Sequence, residues 1–92
     1  MHWPQAKMTI EYTPRWKEEL IGVLEGNQFV VELTMGRLHV YFPSESTWES
    51  SAPDWAKGKY LLARTAAEDW SSKNDSDFTV DENAWIDWTR KE

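Results

Sequence analysis

Apolar and polar residues alternate from Lys7 to Tyr12, with Met8, Ile10 and Tyr12 on one side and Lys7, Thr9 and Glu11 on the other. A period of two predicts a strand. Thr13-Pro14 then has the form of a helix start, since threonine caps and proline fits the first helical position. Trp16, Leu20, Val23 and Leu24 follow on one helical face, Glu18 and Glu19 lie near the positive end, and Gly26 is a natural terminator. A rival reading makes Leu20–Glu25 and Gln28–Leu33 a hairpin around Gly26-Asn27. The helix is preferred because cap, face and terminator agree.

Gln28–Thr34 and Arg37–Phe42 are rich in strand-favouring residues around Met35-Gly36. A two-residue loop pairs Leu33 with Leu38, Val31 with Val40 and Phe29 with Phe42, which puts all six side chains on one face. Its weak point is Met35, which a type I′ turn would hold at positive φ. Ser44–Ala52 reads as a polar loop containing Trp48, with one helical turn opened by Ser46 and Glu49. Ser51-Ala52-Pro53-Asp54 has capping-box spacing and opens a helix to about Ser72. On it Trp55, Ala56, Tyr60, Leu62, Ala63, Ala66, Ala67 and Trp70 fall within an arc of roughly 160°. The tail from Asp77 to Trp88 reads as a strand broken by a turn at Asp81-Glu82-Asn83, or as a helix capped at Thr79. The strand is preferred because a last strand completes the sheet.

These elements give the order β-α-β-β-α-β. The expected fold is α+β, a two-layer sandwich of ferredoxin-like order, with a four-stranded antiparallel sheet and both helices on one face.

Length and charge narrow the class of function. The chain has 92 residues, no Cys, 7 Trp and a formal charge of −6. One domain over residues 1–92 is expected. Thiol chemistry and cysteine-bound metals are excluded, and two histidines make an all-histidine metal site a poor expectation. The acidic balance argues against nucleic acid as a partner. RNA-recognition modules share the expected topology, but here only Tyr41 would stand on the open face of the relevant strand, and the motif's glycines are missing. No apolar run approaches the roughly 20 residues of a membrane span. With no signal peptide or lipidation motif, a cytoplasmic protein is expected. Asn74-Asp75-Ser76 fits a glycosylation sequon and is read as a chance match.

The glycines at 22, 26, 36 and 58 form neither a phosphate loop nor a dinucleotide fingerprint. No cofactor, metal site or catalytic motif is expected. His39 is the one residue suited to acid–base work. The expected register sets it opposite Glu32, with Arg37 diagonal and Tyr41 on the same face beside Val30. Carboxylates gather at Glu18-Glu19, at Glu45, Glu49 and Asp54, and at Asp75, Asp77, Asp81 and Glu82. They read as a solvated surface or as a docking face for a basic partner. A calcium loop at 75–82 lacks the shaping glycine.

Trp16, Trp55 and Trp70 are read as core. Trp3, Trp48, Trp85 and Trp88 are less well placed, and exposed tryptophan is enriched at binding hot spots. The leading expectation is a non-enzymatic module that binds another protein, in one form a basic one. Its binding candidates are Glu32, Arg37, His39, Tyr41, Trp48, Trp85 and Trp88. Two rivals are a small-ligand protein or enzyme using the Glu32/His39 face, and a homodimer burying Trp85 or Trp88.

Overall fold

A computed structural model of the chain describes residues 9–15 and 18–88. Their order is β1 (Ile10–Arg15), β2 (Glu19–Leu24), β3 (Asn27–Thr34), β4 (His39–Phe42), α1 (Glu45–Ser51), α2 (Tyr60–Lys73), β5 (Asp77–Val80) and β6 (Ile86–Asp87). The described strands form one sheet in the order β1-β2-β3-β4-β5, with β6 paired to β3. All pairs are antiparallel except β4–β5, which is parallel. The fold is α+β. The ferredoxin-like order and its four-stranded antiparallel sheet are not what the chain forms.

The departure begins at the expected first helix. Thr13 and Pro14 extend β1, and the chain returns as β2. Leu20 and Leu24 are four apart, a spacing that suits a helix face and a strand face equally. Between them Ile21, Gly22 and Val23 are poor helix formers, which decides for the strand. Glu25 and Gly26 turn the β2–β3 hairpin with φ of 51° and 85°, the two positive values of a primed turn. The rival hairpin is therefore the one formed, turning one residue earlier than read. Proline is accommodated at a sheet edge, and among the described strands β1 is an edge strand.

Tyr12, Gly22 and Phe29 stand opposite one another across β1, β2 and β3. A methyl group at Gly22 would overlap the ring of Phe29, so the glycine makes room for that ring. The β3–β4 hairpin pairs Leu33 with Val40, and Met35–Leu38 form a four-residue connection. The expected register was two residues out. Neither Met35 nor Gly36 adopts positive φ, so the tight turn is not made. Thr34 Oγ1 instead donates to the Arg37 carbonyl at 3.1 Å. A slip of two preserves side-chain parity, so the predicted inward face survives the wrong pairing.

Pro43, buried and without an N–H, ends β4. Ser44 caps α1 by accepting the Thr47 N–H at 3.2 Å. The long helix expected from Ser51 begins only at Tyr60. Pro53 instead accepts from Ala56 and Lys57, and Gly58 has φ 77°. The Glu49 carboxylate holds the Gly58 N–H at 3.0 Å. Tyr60, Ala63, Ala67 and Ser71 form the buried face of α2.

β5 then lies alongside β4, and the turn after it is set by Asp81, whose carboxylate accepts the Asn83 N–H at 2.8 Å. In β6, Ile86 and Asp87 pair with Val31 and Val30. They continue along the edge of β3 that β4 leaves at Phe42. The core lies between sheet and helices around Phe29, Phe42, Trp48 and Tyr60. On the opposite sheet face Ile21, Val30 and Glu19 are also buried.

Candidate functional site

Four of the candidates lie on or beside the sheet face turned away from the helices. Glu19, Glu32, Tyr41 and Thr79 form one rank across β2 to β5, and Thr34, His39 and Asp77 the next. His39 therefore faces Thr34, not Glu32, and Tyr41 stands beside Glu32 rather than Val30. Arg37 lies in the connection, where its Nε is 3.0 Å from Asp77 Oδ2. These corrections follow from the two-residue slip. The His39 ring stacks on Tyr41 with centroids 4.1 Å apart and planes 7° from parallel. Its Nε2 lies 2.7 Å from Thr79 Oγ1. An imidazole bonded to a hydroxyl is the first half of a base–nucleophile pair. At the β1 end of the face Arg15 Nη1 lies 3.7 Å from the buried Glu19 carboxylate.

The tryptophans divide differently from expectation. Trp48 is not in a polar loop. It is fully buried on α1, edge-on to Phe29 and Tyr60, and its Nε1 donates to the Ala56 carbonyl at 3.0 Å. Trp88 is half-buried, packs on Phe29, Trp48 and Trp55, and donates from Nε1 to Ser51 Oγ at 2.9 Å. Trp85 remains 42% exposed. Trp55 and Trp70 are half-buried against the core. Trp3 and Trp16 lie outside the described residues.

A groove of about 710 Å³ runs between β1 and α2. Ile10 and Tyr12 line it from the strand and Leu62, Ala66 and Trp70 from the helix, with Glu11, Thr65, Asp69 and Lys73 among the polar residues. None of Glu32, Arg37, His39 and Tyr41 lines it. Tyr12 ties the two elements together, its hydroxyl donating to the Ala63 carbonyl at 2.8 Å. Burial pushes that phenol well above the usual tyrosine range. Residue patterning missed this groove, yet it held a signal. An apolar arc of roughly 160° is wider than one sheet contact covers, and its Leu62–Ala66–Trp70 flank is what remains half-exposed.

Charge is arranged asymmetrically. Arg15 lies against Glu19, Arg37 against Asp77, Lys57 against Asp54, Arg64 against Glu68 and Lys73 against Asp69. Glu11, Glu18, Glu25 and Glu45 are exposed. Of the carboxylates read as a possible calcium loop, Asp77 meets Arg37 and Asp81 shapes its turn. Among the described residues no group of three or more His, Cys, Asp or Glu is placed to hold a metal ion. No described helix is long and apolar enough to cross a membrane. Comparison with protein-family models, with curated proteins and with solved structures finds no match.

Proposed function

We propose that this chain is a non-enzymatic, cytoplasmic interaction module that binds a basic protein partner. The observation that carries the reading is the use of the cations among the described residues, of which all but Lys59 are paired. Arg15, Arg37, Lys57, Arg64 and Lys73 each lie within 4 Å of a carboxylate of the same chain. Among the described residues, what faces solvent beyond those pairs is dominated by carboxylates such as Glu11, Glu18, Glu25 and Glu45, within a net charge of −6. Such a field steers cationic partners and raises their encounter rate.

The test is capture from native lysate with mass spectrometry at low and high salt, using the natural chain beside a Glu11→Lys/Glu25→Lys/Glu32→Lys variant. A stoichiometric basic partner, lost in high salt and with the variant, is the expected result. Recovery of no stoichiometric partner at any salt overturns the reading. So does a partner indifferent to both changes.

One contact favours a second reading, a small-ligand protein or enzyme built on the open sheet face. The 2.7 Å approach of His39 to Thr79 supplies a base and a hydroxyl. A screen of small metabolites by NMR, with His39→Ala as control, tests it. That reading fails if no compound shifts the His39 and Thr79 resonances.

A further inference from the structure

We infer that the partner adds an extended segment as a new strand along the outer edge of β1, its alternate apolar side chains seated in the groove against α2 and its lysines or arginines on the other side beside Glu11. This deepens, and rests on, the protein-binding reading.

Three observations converge. The sheet order ends at β1, so among the described residues no strand pairs with its outer side. A sheet edge is a template for one more strand, about 4.8 Å away. Beside that edge, Leu62, Ala66 and Trp70 stand across the groove from Ile10 and Tyr12. Every second side chain of an added strand would enter this space. On the helix side of the groove Asp69 and Lys73 match each other's charge at 2.9 Å. Leu61, 69% exposed, lies one helical turn before the lining residue Thr65 and extends the apolar surface.

Glu11 borders the groove, but strand alternation turns its side chain to the face opposite Tyr12, where it is exposed and is not part of an ion pair among the described residues. A cationic side chain meets it there, and the net charge of −6 favours the same sign. A second copy of the chain is a poorer occupant. It carries the same net charge, and its own β1 would bring Pro14, which has no N–H to donate.

The experiment uses the full chain, labelled with ¹⁵N, and three capped synthetic octapeptides. One alternates lysine and valine. The second has glutamate in place of lysine. The third keeps the lysine–valine sequence but carries N-methyl groups along one edge, so that it cannot donate from that side. The expected result is that the first peptide shifts the amides of Ile10 to Thr13 and slows their hydrogen exchange. The glutamate and N-methyl peptides bind at least tenfold more weakly. Ala66→Arg weakens the first peptide at least tenfold while its NMR spectrum stays that of a folded chain.

Equal binding by the N-methyl peptide overturns the inference, as do shifts centred on Glu32 and Tyr41. No shift at about 1 mM peptide overturns it too. Sedimentation showing that the chain pairs with itself through β1 assigns the edge to a second copy and has the same effect. If a basic partner is captured equally by the natural chain and by Ala66→Arg, the edge inference falls while the protein-binding reading stands.

Discussion

Gly22 and Phe29 illustrate how one residue's identity depends on another's. The ring occupies the space where any side chain at 22 would begin. Gly22→Ala is expected to destabilise the chain by about 1–3 kcal/mol through overpacking, measured by denaturant unfolding. Trp48→Ala should cost about 3–5 kcal/mol, whereas Trp85→Ala should stay within about 0.5 kcal/mol. That contrast separates a core ring from a surface ring in one experiment. Tyr12→Phe removes the hydrogen bond to Ala63 and should cost about 0.5–1.5 kcal/mol.

It should also change the alkaline limb of stability. The Tyr12 phenol is held well above its ordinary 10.0, so the unfolded chain loses that proton near pH 10 while the folded chain keeps it. Its contribution is complete below pH 10 and declines as pH rises toward the folded value. Tyr12→Phe should flatten this decline, measured as melting temperature against pH. A residual decline is expected from Tyr60, raised chiefly by burial and opposed by Arg64. At this scale the sequence was partly legible. Ile10 and Tyr12 fall on the buried face that alternation assigns, but nothing around Trp48 marks it as core. Glu45, Ser46, Glu49 and Ser50 make its neighbourhood look wet, although one turn of helix is enough to aim a single ring inward.

Elements were legible where their period was unambiguous and obscure where two periods coincide. Leu20 and Leu24 satisfy both, and the choice rests on Gly22, whose reason lies on the neighbouring strand. The β3–β4 hairpin kept its inward face but not its register, because parity is written in the residues while loop length depends on which conformations Met35 and Gly36 adopt. The pairing Glu32–His39 failed for that reason. At the other end of β4, the cap of α1 is testable. Ser44→Ala should cost about 0.5–2 kcal/mol, read by thermal unfolding. α1 is short and positions Trp48, so loss of its cap should also alter tryptophan emission.

At the scale of the whole molecule, topology was the least legible feature. The crossover from β4 through both helices to a parallel β5 involves residues nearly 40 positions apart, and no local pattern reports it. The charge distribution belongs to this scale as well. If the proposed partner is basic, its association rate should fall steeply as salt rises from about 0.01 to 0.15 M, with a smaller change in dissociation. Stopped-flow mixing measures both.

The pairing of β6 with β3 has a consequence for synthesis. Val30 meets Asp87, and Phe29 meets Trp88. During translation the first three strands emerge well before the residues that complete their far edge. For that interval Phe29 lacks the indole ring that packs on it in the finished fold, and the nascent chain has a sticky half-sheet to protect. Force measurements on ribosome-bound chains of increasing length should therefore register closure only after Trp88 has cleared the exit tunnel.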